Sequence, residues 1–224
     1  MTTDQRKPQV LVLAALHQYH TDVACYGFEE LRRIVSWYSP DALFGEVSEE
    51  DLRLRSPERV KREYPEVVYP LLEAAPSIRA HALEPSGDTR KRLIERMQAA
   101  ARVFQEKPEY VQFEKHVREW LQALMQGWKT PADVNSGVTD DSVRAKHKRQ
   151  RPLYPEDYTG AWEEWNEYFL RRILEVISRD RPAKALVLVG LEHCFWLRER
   201  LALHPGADMV DTQALLRARL ENES

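Results

Sequence analysis

Two stretches decide the fold: VLVLAALH, from Val10 to His17, and LVLVGLEH, from Leu186 to His193. Each is a continuous apolar run rich in Val and Leu, too short for a helix core, and each runs into a histidine at the same offset. Such runs suit strands buried on both faces of a parallel sheet. Both histidines would leave the sheet at strand carboxyl ends, the edge where open α/β sheets gather ligands and catalytic groups. Two segments far apart in sequence are therefore expected to build one site, with His17 and His193 facing each other across a cleft.

Between these runs the chain alternates. Thr21 or Asp22 can cap a helix whose apolar positions Phe28, Leu31, Ile34, Val35 and Tyr38 keep the helical period, and Ser39-Pro40-Asp41 stops it. A second strand, Ala42 to Gly45, leads into Glu46, completing a β-α-β unit. Residues 48–75 are charged and punctuated by prolines, as short kinked helices would be. A third strand, Ile78 to Leu83, ends at Glu84-Pro85.

Two long amphipathic segments follow from Asp88 to Gly127, broken at Lys107-Pro108. Val111, His116, Trp120, Leu121 and Leu124 mark the apolar side of the second. Residues 128–157 hold turn formers, acids and a basic run, Arg144 to Arg151, and read as a mobile loop or lid. A helix from about Gly160 to Arg179, with an aromatic and aliphatic stripe from Trp162 to Val176, leads into the last long strand. The tail adds a helix over Phe195 to Leu203, a short strand at Asp208 to Val210 and a helix from Thr212. The expected architecture is α/β: one domain over 1–224, with a small mostly parallel sheet flanked by helices. A long helical insertion, 88–180, falls between the third and fourth strands and roofs the histidines.

The bulk composition narrows the function. At 224 residues and 43% hydrophobic content the chain can build one substantial core. A net charge of -3 with 31% charged residues leaves no global field to recruit nucleic acid or an anionic membrane. The polar start, followed by only a short apolar run, predicts neither a signal peptide nor a membrane span. Cys25 and Cys194 lack a C-x-x-C spacing and read as reduced thiols of a cytoplasmic protein. No G-x-S-x-G turn, P-loop, G-x-G-x-x-G turn or H-E-x-x-H helix occurs, which argues against serine hydrolases, nucleotide hydrolases, nicotinamide dehydrogenases and zincins. A homo-oligomer is compatible with such a chain and not specified by it.

The chemistry-bearing groups fall at strand ends: His17 and His20, Glu46, Glu84, and Glu192 with His193. Two imidazoles and a carboxylate suit Zn²⁺, Mn²⁺ or Co²⁺ with a position left for water, which such an ion makes nucleophilic near neutrality. The structural alternative is that a histidine after a strand bonds a loop carbonyl and a carboxylate caps the next helix.

The first strand ending at His17, S-P-D-A-L-F-G-E from Ser39 to Glu46, and G-L-E-H from Gly190 to His193 resemble the TraB/Tiki superfamily, which includes ChaN-like and erythromycin-esterase-like proteins. The resemblance spans nearly the whole chain in order, through short motifs. It implies His17, Glu46 and His193 as the site trio and metal, with metal-dependent hydrolysis in members that are enzymes. The helix from Trp165-Asn166 to Ile177 also resembles a family segment in which an asparagine or arginine faces the site. In the hydrolase reading His17 and His193 are ligands, Glu46 is a ligand or general base, and Glu192 and Asn166 orient water or substrate. The sequence departs from the pattern at Ala14, where glycine is usual, and at Trp165, where an arginine often stands. Two functions follow as expectations. The first is a metal-dependent hydrolase of small-molecule or peptide-like ester or amide bonds, with an anionic-substrate variant suggested by the basic run. The second is non-catalytic binding of haem or another small ligand, or a regulatory interaction protein with a vestigial site.

Overall fold

The computed structural model describes residues 7–223. Five strands form one parallel sheet in the order β3-β2-β4-β1-β5: β1 Gln9–Ala15, β2 Ala42–Gly45, β3 Arg79–Ala82, β4 Lys184–Gly190 and β5 Asp208–Met209. Ten helices accompany them among the described residues. These are α1 Phe28–Tyr38, α2 Glu49–Leu54, α3 Tyr69–Ala74, α4 Gly87–Phe104, α5 Pro108–Gly127, α6 Pro131–Val134, α7 Gly137–Gln150, α8 Glu156–Asp180, α9 Leu191–Ala202 and α10 Thr212–Glu223. No helix among the described residues is long and apolar enough to cross a membrane.

The two strands that open the sequence argument lie side by side. β1 pairs with β4 over seven residues, from Gln9 with Lys184 to Ala15 with Gly190. β2 pairs with the other edge of β4, placing Gly45 beside Leu188. The late strand is thus inserted between the first two, so the tips of β1, β4 and β2 are consecutive neighbours. Every residue from Val10 to Ala15 and from Ala185 to Gly190 is buried. That explains why neither run alternates: both faces of a central parallel strand meet helices. α1 contributes Leu31, Ile34, Val35 and Tyr38 to this core, and α8 contributes Phe169, Ile173, Val176 and Ile177.

The first helix begins at Phe28 after Gly27, later than the Thr21 or Asp22 cap predicts, because two 3-10 turns, His17–Thr21 and Ala24–Tyr26, come first. The tail helix begins at Leu191 rather than Phe195, which puts Glu192 and His193 in its first turn. α5 turns the predicted side inward only in its second half, where Trp120 and Leu124 pack against the main core. Val111 is 55% exposed and His116 is also exposed, whereas Phe113 is buried with Ala100, Phe104 and Tyr154 in a second, smaller core.

The stretch 128–157 is helical rather than a loop or lid. Thr130 and Asp133 form a reciprocal capping box that starts α6, and the Ser136 hydroxyl accepts from Thr139 N–H to start α7. α7 buries only Thr139 and Val143 and is otherwise polar, so it carries almost no helical hydrophobic period to read. Its basic residues are largely committed: Arg144 pairs with Asp141 and Glu199, Lys146 with Glu192, and Arg151 with Glu163.

Candidate functional site

At the end of β1 the chain reverses sharply. His17 has φ 53°, a left-handed conformation uncommon for a residue with a side chain. It starts the 3-10 turn with its ring at the sheet edge. At the end of β2, Glu46 N–H still bonds Leu188 C=O at 3.3 Å, which directs its carboxylate toward β4. At the end of β4, Gly190 N–H donates to Glu46 Oε2 at 2.7 Å. A Cβ on Gly190 would lie 2.7 Å from His17 Nε2 and 3.1 Å from Glu46 Oε2, so only glycine permits all three groups to meet there. The tip of β1 is also fastened through its backbone. Ala14 N–H donates to Asn135 Oδ1 at 2.9 Å, and Tyr26 O–H donates to Ala14 C=O at 2.7 Å.

Glu46 is the hub. Its Oε1 accepts from the Lys61 ammonium and lies 3.7 Å from His193 Nε2. Burial alone would push this carboxyl up; Lys61 and then the two imidazoles outweigh it and bring it down to about 2. Lys61 also lies 3.8 Å from Glu84 Oε1. Glu84 goes the other way: burial raises its carboxyl above the ordinary range, with Lys61 and Arg90 opposing.

The two histidines are braced from behind by different groups. His17 Nδ1–H donates to the buried Glu63 carboxylate at 2.9 Å. His193 Nδ1 lies 2.8 Å from Asn166 Oδ1, while Asn166 Nδ2–H donates to Trp162 C=O at 2.8 Å. Because the Asn166 amide nitrogen is spent on a carbonyl, its oxygen must accept, and His193 Nδ1 must carry the proton. His193 Nε2 therefore presents a lone pair toward Glu46. Desolvation lowers the His193 pKa below its ordinary value near 6.5, against the pull of Glu46, so the ring is neutral at pH 7.

A cleft of about 390 Å³ opens on Glu46 and His193, within the size range of small-molecule sites. Its walls come from α4, α5, α7, α8 and α9. Glu192 lines it but does not join Glu46: it accepts from Lys146 and lies 2.7 Å from His147 Nε2. His147 and Lys146 outweigh the desolvation of Glu192 and hold its carboxyl well below the usual range. Trp162 stands parallel to the His193 ring, centroids 6.0 Å apart.

Sequence reasoning missed Lys61, Glu63, Lys146 and His147. The first two sit in a charged, proline-broken stretch with no motif. The basic run did flag the last two, but as a lid rather than a wall. His20, by contrast, is structural: its Nδ1–H donates to Tyr26 C=O at 2.7 Å and its Nε2 accepts from Leu16 N–H at 2.9 Å. Cys194 is a buried thiol directed at the carbonyls of Val189 and Gly190.

His17, His193 and Glu46 are suitable donor types for a divalent ion, and hydrogen bonds to both Nδ1 atoms are of the kind that hold ligating histidines. The arrangement does not fit one. Gly190 N–H and the Lys61 ammonium already engage the two Glu46 oxygens. Among the described residues no three His, Cys, Asp or Glu side chains gather as an ion requires. Lys61 supplies from within the chain the positive charge that a metal would bring. No protein-family model, curated protein or solved structure matches the chain.

Proposed function

We propose that the protein is a hydrolase of small-molecule ester or amide bonds, with His193 as general base. The observation that carries this reading is the relay from Trp162 C=O through Asn166 to His193 Nδ1, which leaves an unprotonated Nε2 facing the cleft beside an ionised carboxylate. A lone pair and a carboxylate oxygen 3.7 Å apart are both acceptors and do not bond each other. A water molecule donating one hydrogen to each is held and polarised there.

As that water attacks a carbonyl carbon, its proton passes to His193 Nε2, and Glu46 balances the imidazolium that forms. Lys146 also lines the cleft, but its ammonium is held by Glu192 and takes no part in the reaction. When the tetrahedral intermediate collapses, the alkoxide or amine leaves and takes the proton back from His193. His17, backed by Glu63, is a positioning residue, fixing the Glu46 and Gly190 edge from the side away from the cleft.

Turnover of a panel of nitrophenyl esters and anilides tests the reading. Hydrolysis by the wild type that survives chelation and disappears in His193→Ala supports it. Activity recovered only on adding Zn²⁺, Mn²⁺ or Co²⁺ overturns the metal-free form and restores the metal-dependent expectation. A haem spectrum that depends on His193, with no turnover, favours the binding protein instead.

A further inference from the structure

Three carboxylates line the cleft, and they are not equivalent. Glu46 is paired with Lys61, and Glu192 with Lys146 and His147. Glu114, on α5, has no lysine, arginine or histidine as an ion-pair partner among the described residues; the Tyr154 hydroxyl donates to its Oε1 at 2.7 Å. Burial, and then Glu114 itself, raises the Tyr154 phenol, so the tyrosine hydroxyl is the donor in this hydrogen bond. The cleft that Glu114 lines has aromatic walls, with Tyr154 bonded to the carboxylate, Phe113 and Tyr158 packed on Tyr154, and Trp162 and Trp165 also lining it. The basic residues that would attract an anion are spent: Lys146 is bound to Glu192, and Arg144 and Arg151 to acids of their own.

A carboxylate without a counter-cation, in a cleft with aromatic walls, is chemistry for a cationic nitrogen. The carboxylate takes the N–H donors and the rings stabilise the charge from the sides. We propose that the cleft selects small molecules carrying a protonated amine beside an apolar ring or chain, with Glu114 as the anchoring carboxylate. This rests on the hydrolase reading only in making such a molecule the substrate; recognition of the amine stands on Glu114 and the aromatic walls. It replaces the anionic-substrate variant that the basic run suggests in the sequence.

Calorimetric titration of the full chain with phenethylamine and with 2-phenylethanol tests it, because the pair shares a ring and differs in charge. The amine is expected to bind about tenfold tighter than the alcohol, and added salt to weaken only the amine. Glu114→Gln should erase the preference while leaving the alcohol unchanged and the circular dichroism spectrum native. Equal affinities, a preference that survives Glu114→Gln, or no binding of either compound overturns the proposal. His193→Ala separates the two readings: it should abolish turnover yet keep the amine preference. A wild type that binds the amine selectively but hydrolyses nothing would sink the hydrolase reading alone.

Discussion

His17 and His193 end matching strands in neighbouring positions of one sheet, yet they reach Glu46 by different routes. His17 leaves β1 through a left-handed residue, keeps its side chain 28% exposed and rests on a carboxylate, Glu63. His193 sits in the first turn of α9, 13% exposed, and rests on a neutral amide, Asn166. A carboxylate behind an imidazole stabilises the charged ring; an amide only fixes its tautomer. Of the two, only His193 opens on the cleft. The same motif in sequence thus yields two differently supported imidazoles, which the proposed reaction uses as one brace and one base.

Removing each ring in turn should separate the two roles most strongly. His193→Ala should cut kcat by about 10²–10⁴-fold, the usual contribution of a general base, and His17→Ala by less. Equal losses measured on the same ester would mean that the two rings share one role. Gly190→Ala attacks the point where His17 meets Glu46. Its new methyl would stand 2.7 Å from His17 Nε2, and overpacking of this kind costs about 1–3 kcal/mol in urea unfolding. An unaltered midpoint would show that His17 yields freely.

Asn166→Asp turns the neutral support into a carboxylate like that of His17. The acid limb of the kcat/KM profile, set by a His193 pKa below 6.5 in the wild type, should then move up by about one pH unit or more. A stationary limb would remove His193 from the proton transfer. The smallest effect is on stability. His193 and His20 are both lowered by burial, so near and below pH 6.5 the unfolded chain binds protons that the folded chain does not. Stability should therefore fall as pH drops from about 6.5 toward the lowered values, and a second loss follows from 4.5 toward 2 as Glu46 titrates. Thermal melts should show a shallower first slope in His193→Gln; an unchanged slope would contradict a buried neutral His193.

Much of this was open to inspection in the sequence, because central parallel strands must be apolar on both faces. Val10 to Ala15 and Ala185 to Val189 carry no other reading. Ala42 to Gly45 ends where a strand before Glu46 should. The rest was hidden for identifiable reasons. Lys61 and Glu63 lie just before a π-helical turn, Tyr64–Val68, with Glu63 at its N-cap, in a stretch whose geometry leaves no period to recognise. α7 is held by capping and by ion pairs with distant elements, so its sequence resembles that of a loop. His20 and His17 share a turn and differ only in what their nitrogens meet, which spacing does not encode.

The insertion of β4 between β1 and β2 has a consequence for biosynthesis. Glu46 and Gly190, directly bonded at the centre of the site, are 144 residues apart in sequence. Until β4 docks, β1 and β2 have no shared neighbour and the edges that will pair with it stay open. Long-range parallel pairing of this kind is slow to form and exposed to misassociation while it waits. A nascent chain therefore carries His17 and Glu46 long before Gly190 and His193 can join them, and the site comes together only when the sheet closes.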